Sequence, residues 1–301
     1  MIDTKRQDLP GILWVVATPI GNLGDLSVRA KEVLAGADVV LCEDTRRTSR
    51  LCAATGISPR LERLDAHADD HRLQTMVDRL AGGQRAALVT DAGTPGVSDP
   101  AAALVALARS RGVEVVPIPG PSAVVTLLSV SGFVESSFAF GGFFPRKDGD
   151  RKRTIEAAAR FAEICRIMVW FESPERIEDS LGLLARLVPD ARVVAAKELT
   201  KMHERVFAGT AGETAQAVAE ELEREGRLGE WCFACRFPEV TESPETGLET
   251  SSGDSAGWRL ALRCLLESGV ALNEAAKRVS QYFAVPKNAV YEEGLRLSGK
   301  K

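Results

Sequence analysis

No apolar run in the 301-residue chain approaches the roughly 18–20 residues needed to cross a bilayer, so no membrane partner is expected. The first ten residues, Met1 to Pro10, are polar and lead straight into a strand-like segment. They do not read as a signal peptide, and a cytoplasmic location is expected. Positive charge is not in excess either: 38 Lys and Arg face 42 Asp and Glu, a net charge of −4. Any contact with nucleic acid must therefore come from local basic clusters, not from the field of the whole molecule. The six cysteines, at 42, 52, 165, 232, 235 and 264, are scattered and lack a secretion signal, which predicts reduced thiols. Cys232-Phe233-Ala234-Cys235 is the one Cys-x-x-Cys. It falls in a predicted strand, where positions three apart point to opposite faces and the sulfurs cannot converge on a metal. His67, His71 and His203 are too dispersed for a metal triad, and no metal is expected. The dinucleotide fingerprint G-x-G-x-x-G and the phosphate-cradling G-x-x-x-x-G-K-[ST] are both missing, so neither NAD nor ATP is the natural ligand.

What is present is the composition of a globular protein, 45% apolar and 27% charged. At this length one core rarely suffices, which predicts two domains and a small extra piece. Apolar runs at Ile12–Ala17, Val39–Cys42, Ala86–Thr90 and Val113–Val116 alternate with helical spacings at Leu26–Leu34, Ala101–Arg109 and Pro121–Val130. Asp99-Pro100 supplies an N-cap and first-turn pair ahead of the second of these helices. Continuous apolar strands separated by helices predict a mostly parallel sheet covered on both faces. A Gly- and Phe-rich break at Phe133–Phe144 precedes a second α/β series. It runs through helix Arg151–Ala162, strand Arg166–Phe171, helix Pro174–Leu187, strands Arg192–Ala196 and His203–Ala208, helix Thr214–Arg224 and strand Trp231–Phe237. Residues 239–257 have linker composition, and helices are expected at Trp258–Glu267, Leu272–Phe283 and Lys287–Leu297. The expected division is an α/β domain over 11–132, a second over 133–238, the linker, and a helical module over 258–298.

Three loops rich in Gly and Pro follow strands directly: Thr18–Asn22, Asp91–Gly96 and Pro117–Ala123. Any one alone is an ordinary tight turn. Together, at the carboxyl ends of strands in an open α/β sheet, they predict one cleft where a ligand meets bare backbone. Each proline removes an amide donor, so the loops suit an uncharged or cationic ligand held by carbonyl groups.

The chain then resembles a known family. Thr18-Pro19-Ile20-Gly21-Asn22-Leu23, Glu43-Asp44-Thr45-Arg46, Thr90–Pro100 and Pro119-Gly120-Pro121-Ser122-Ala123 are similar to the tetrapyrrole-methylase superfamily, more narrowly its ribosomal RNA small subunit methyltransferase I branch. The likeness continues through Gly142-Phe143-Phe144-Pro145, Phe171-Glu172-Ser173-Pro174, Lys197–Lys201, Gly229-Glu230 and Lys287–Tyr291, in order along nearly the whole chain. The resemblance implies two α/β domains facing each other across a cleft for S-adenosylmethionine, and 2′-O-methylation of a cytidine in the decoding region of 16S ribosomal RNA. It also implies a homodimer. Carried over by position, Pro19, Ala92, Gly93, Thr94, Val97, Ser122 and Ala123 would hold the cofactor, with Phe171 and Leu199 closing over the adenosine. The chain departs from the family pattern at Glu175, where a histidine is expected, at Ala66–Asp70, which lacks an amide, and at Cys232 and Cys235.

A cationic sulfonium already activates the methyl, so in-line placement of the 2′-oxygen lowers most of the barrier, and a base or a cation near the alkoxide adds to it. Glu43, Asp44, Lys197 and Glu198 are the expected group, with individual roles open and an internal salt bridge the alternative for Lys197 and Glu198. RNA would be gripped by Arg46, Arg47 and Arg50 on one helix and by Arg146, Lys147, Arg151, Lys152 and Arg153 beside the aromatic break. Lys277, Arg278 and Lys287 offer a second handle. Two other readings use the same residues. One changes the acceptor to a tetrapyrrole or a protein side chain; the other is a non-catalytic RNA-binding factor in ribosome assembly.

Overall fold

The computed structural model describes residues 11–64, 70–96, 101–239, 256–267, 270–283 and 285–297. His67 and the Asp99-Pro100 cap lie outside them. The chain forms two compact units, residues 1–240 and 241–301.

The first unit holds two five-stranded sheets. In the first sheet β1 (Ile12–Val16), β2 (Val39–Cys42), β3 (Leu61–Arg63), β4 (Arg85–Leu88) and β5 (Glu114–Ile118) lie in the order β3-β2-β4-β1-β5. Every pairing is parallel. The helices α1 (Val28–Gly36) and α2 (Thr45–Ala54) follow β1 and β2; α3 (Asp70–Ala81) and α4 (Ala101–Ser110) precede β4 and β5. Leu34 of α1 packs with Val16, Val40 and Val89 on one face, and Val77 and Leu104 pack with Leu13, Leu41 and Leu88 on the other. Apolar side chains on both faces explain the unbroken apolar runs of the strands. The chain leaves neighbouring strands β1 and β4 in opposite directions, so their connections diverge and open a crevice at the carboxyl edge.

The second sheet runs β6 (Phe138–Phe143), β7 (Ile167–Glu172), β10 (Trp231–Arg236), β8 (Arg192–Lys197), β9 (Arg205–Thr210). The parallel sheet expected of the first half does not recur here, and this sheet is mixed. Only β6 and β7 pair in parallel; β10 is antiparallel to β7 and β8, and β8 to β9. The segment 198–204 between β8 and β9 is too short for a crossover, so those two strands must form a hairpin. The helices α6 (Asp148–Phe161), α7 (Ile177–Leu187) and α8 (Ala211–Glu225) cover one face through Ile155, Leu181 and Val218 against Trp170 and Phe233. The other face receives α5 (Ala123–Ser129), whose Val124 and Leu127 pack on Val169, Val194 and Ala234. Strand alternation sends Cys232 to this second face and Cys235 to the first, so the two sulfurs part as the spacing predicts.

Several helix starts differ from expectation, α6 and α7 among them. Asp148 and Asp150 lie in the first turn of α6, where the helix dipole favours acids, and the helix begins ahead of Arg151. Pro174 sits instead in a turn before α7. In the second unit α9 (Ala256–Glu267), α10 (Leu272–Phe283) and α11 (Lys287–Leu297) bury Trp258, Leu262, Val279 and Val290 together.

Candidate functional site

Three loops leave the carboxyl edge of the first sheet, and hydrogen bonds bind them into one wall. Thr18 and Gly93 exchange a reciprocal pair, Thr18 N donating to Gly93 O at 3.0 Å and Gly93 N to Thr18 O at 3.1 Å. Thr94 Oγ1 donates to the Pro121 carbonyl at 3.0 Å and fastens the second loop to the third. Gly93 has φ +83°, a left-handed backbone that glycine adopts without strain. At Gly120 a Cβ would stand 2.9 Å from the Ala17 Cβ, so the third loop passes close behind the first.

The facing wall comes from the ends of β6, β7, β8 and β10: Phe143, Phe171, Leu199 and the segment 229–232. Between the walls lies a cleft of about 410 Å3. At one end the walls meet, where Asn22 N donates to Thr200 Oγ1 at 3.1 Å. Glu198 and Thr200 both have left-handed backbones, φ 53° and 66°, each a cost of about 1–3 kcal/mol for a residue with a side chain. A compact set of bonds holds this loop in place. Glu198 N donates to the Glu230 carbonyl at 2.8 Å, and Glu198 Oε1 accepts from Glu230 N at 2.8 Å. The Lys201 ammonium bridges Glu198 at 2.8 Å and Glu230 at 3.0 Å. Partial burial works to raise the Glu198 pKa, but the Lys201 ammonium and the Glu230 amide outweigh it and hold the carboxyl below its ordinary value. For Lys201, burial works downward and the two carboxylates outweigh it upward.

The lining has a clear chemical character. It includes the carboxylates Glu172 and Glu230 and the hydroxyls of Thr94 and Ser122, with no Lys or Arg among the described residues. A polyphosphate finds no cation there, whereas a nucleoside carrying a positive sulfonium meets apolar walls, backbone and negative charge. The residues therefore fit S-adenosylmethionine. Glu172 itself is buried and spoken for: it accepts from Ser173 N and Ser180 Oγ, both at 2.7 Å, and from Arg176. That fixes the turn into α7. Cys232 also lines the cleft; burial, with Glu230 nearby, pushes its thiol up to about 12, so it is neutral at physiological pH.

Of the residues expected at the cofactor, Ala92, Gly93, Thr94, Ser122, Ala123, Phe171 and Leu199 line this cleft. Pro19 does not; its neighbour Ile20 takes the place. Val97 lies outside the described residues. Ile20, Phe143, Glu172–Pro174 and Gly229–Cys232 were missed. The glycine and proline signal marks which loops form the cleft but not which of their residues face it, as Ile20 shows, and it is silent on strand-end residues such as Phe143, Glu172 and Trp231.

The expected catalytic group does not gather as one cluster. Lys197, the last residue of β8, points to α8, where its ammonium meets Glu221 at 3.1 Å with both side chains buried. That is the salt-bridge alternative, on the sheet face away from the cleft. Asp44 caps α2, accepting from Arg46 N at 2.8 Å, and this bond holds its carboxyl below the usual range. Asp44 N donates to Asp91 Oδ1 at 3.2 Å, and Arg47 pairs with Asp91 Oδ2 at 3.2 Å. Asp91 thus acts as a loop-former joining the β2 and β4 exits, with Glu43 beside them.

Among the basic residues, Arg46 and Arg50 are exposed on α2. Arg146 and Lys147 are exposed and form no ion pair among the described residues. Lys152 and Arg153 are exposed on α6, paired with Glu156 and Asp150. Arg151 is different. Its side chain is 4% exposed, donating to the Pro145 carbonyl at 2.9 Å and meeting Asp148 at 3.3 Å. A buried guanidinium committed to the chain cannot grip a phosphate, so the expectation for Arg151 is corrected. Among the described residues no group of His, Cys, Asp or Glu could hold a metal ion, and no helix is long and apolar enough to cross a membrane.

Two facing α/β halves with a glycine-walled, cation-free cleft between them define a class, and the comparisons agree. The tetrapyrrole (corrin/porphyrin) methylase family matches residues 13–215, and the chain belongs to that family of methyltransferases, which use S-adenosylmethionine. Solved structures share the fold: a cobalt precorrin-4 methyltransferase of cobalamin biosynthesis has TM-score 0.53 at 18% identity, covering 74% of this chain and 94% of that one. A diphthine synthase has TM-score 0.54 at 17% identity, covering 75% and 89%. More particularly, the chain is 38% identical to the ribosomal RNA small subunit methyltransferase I of Vibrio cholerae, across 96% of each. To the protein of that name from Xylella fastidiosa it is 43% identical, across 94% of this chain and 98% of the relative.

Proposed function

We propose that the protein methylates small-subunit ribosomal RNA, placing the methyl on the ribose 2′-oxygen of a cytidine in the decoding region. The observation that carries this reading is likeness over nearly the full length to relatives named for that substrate. The basic surface of Arg46, Arg50, Arg146, Lys147, Lys152 and Arg153 supports an RNA acceptor over a tetrapyrrole or a protein side chain. A cytoplasmic location accords with such a substrate, and the exposed apolar residues Val125, Val130, Val134 and Phe138 suit a homodimer contact. The domain limits 11–132, 133–238 and 258–298, joined by the linker 239–257, belong to the same reading.

S-adenosylmethionine supplies an electrophilic methyl on a cationic sulfur. The chain's part is placement. Ala92, Gly93, Thr94, Ser122 and Ala123, with Ile20, form the floor; Phe171 and Leu199 form the roof. Glu230 stands at the exposed rim and already shares the Lys201 ammonium, so the apolar walls and loop backbone carry most of the ligand contact. The ribose hydroxyl needs in-line positioning more than a strong base. Glu43, beside the β2 and β4 exits, and the Glu198–Lys201–Glu230 set, of which Glu230 lines the cleft, are the groups assigned to orient it and screen its developing charge. Purified protein incubated with 30S subunits and labelled cofactor should transfer one methyl, leaving a single cytidine link resistant to alkaline cleavage. Label found only on small molecules or protein would reject the acceptor.

A further inference from the structure

Phe143 occupies a position that strand geometry alone would not give it. In β6, Phe140 pairs with Val169 and faces α5 and the cleft, so regular alternation would turn residue 143 to the opposite face, among α6–α8. A register shift intervenes: Phe140 pairs with Val169 but Phe143 pairs with Phe171. One extra residue on β6 is a β-bulge, rare between parallel strands and a device that re-aims a side chain. Two glycines make it possible. Gly141 passes so close to the Trp170 indole that a Cβ would overlap it, and Gly142 takes φ +69°. The result divides neighbours: Phe144 enters the core at 2% exposure, while Phe143 faces the cleft at 63%. Its ring meets Phe171 edge-on at 5.6 Å, and Phe171 meets Phe140 at 4.9 Å. An aromatic rank thus ends in one largely uncovered ring at the lip.

Leaving so large an apolar ring in water costs burial energy that folding would otherwise recover. The exposed, unpaired cations Arg146 and Lys147 come three and four residues later. An open aromatic face beside free cations is the pairing by which single-stranded nucleic acid is held: a base stacks, and the flanking phosphates meet positive charge.

We propose that Phe143 is the stacking platform for an unstacked base of the acceptor RNA, at or next to the methylated nucleotide, with Arg146 and Lys147 on the adjoining phosphates. The subsite rests on the RNA reading above and adds to it where the base lies. Phe171, deeper in the cleft, is left to the cofactor.

The test compares wild type, Phe143→Leu and Phe143→Trp in two assays: S-adenosylmethionine affinity by calorimetry, and KM for unmethylated 30S subunits. Phe143→Leu should raise KM at least about fivefold, well beyond any loss of cofactor affinity, since Phe171 and Leu199 retain the buried side of that wall, and Phe143→Trp should restore KM. At 63% exposure the ring contributes little to folding, and an unchanged melting temperature confirms that each variant is intact. A loss of cofactor affinity in Phe143→Leu as large as the rise in KM would make the ring a cofactor wall alone and overturn the proposal, as would an unchanged KM. If wild type binds the cofactor but transfers no methyl to 30S subunits, the RNA reading itself fails and takes the subsite with it. With wild type active on 30S subunits, an unchanged KM or an equal loss of cofactor affinity in Phe143→Leu fails only the subsite.

Discussion

A side chain at position 93 would have to adopt φ +83° and project toward Ile20, whose Cγ2 would lie 3.4 Å from the new Cβ. Anything larger than a methyl then grows into the cleft. Gly93→Trp is expected to abolish S-adenosylmethionine binding in calorimetry while the circular-dichroism spectrum stays native; unchanged affinity would remove this loop from the site. The opposite logic applies to Lys197. Its ammonium lies 3.1 Å from Glu221 on the helix side of the sheet, so Lys197→Met leaves a buried carboxylate that, among the described residues, keeps Arg224 alone as ion-pair partner. A loss of about 2–3 kcal/mol in denaturant unfolding is expected, with methyl transfer per folded molecule unchanged. A fall in kcat without a fall in stability would return Lys197 to the chemistry.

At the scale of elements, the loop 198–201 is held by charge. Depression of the Glu198 pKa means its contribution is present above the ordinary glutamate value near 4.3 and disappears as pH falls through the lower folded value. Lys201 is raised, so its share is present below about 10.4 and is lost as pH climbs through the folded value. Glu198→Gln should therefore lower the melting temperature at pH 7, and the deficit should shrink as the pH is taken below about 4. A deficit constant from pH 7 to pH 3 would show that charge is not what holds the loop. The same scale shows how far residues alone could be read. The three ligand loops were legible because glycine and proline announce a turn wherever they fall, and α9 to α11 because their apolar spacing is strong. The mixed second sheet was legible only in part: the short 198–204 connection marks the β8–β9 hairpin, whereas β10 inserts antiparallel between β7 and β8, a pairing of strands far apart in sequence. The inner wall escaped for a related reason. Which way Lys197 or Phe143 points depends on register, and one inserted residue in β6 reverses it.

For the molecule as a whole, a net charge of −4 gives no general attraction to RNA, so the local cations must supply the salt-sensitive part of binding. Removing two phosphate contacts by Arg146→Ala with Lys147→Ala should reduce the slope of log K against log salt by about 1.4–1.8. The check is a titration of binding between 50 and 200 mM salt; an unchanged slope would place these cations off the RNA path. The paired strand ends carry a further consequence. Thr18 and Gly93 sit in loops, yet each amide is engaged by the other's carbonyl, and Thr94 and Asn22 extend those ties to Pro121 and Thr200. The pocket is thus assembled during folding, before any ligand arrives. Little backbone has to freeze on capture, and the amide hydrogens of Thr18 and Gly93 should exchange with deuterium on the slow timescale of the strands they follow.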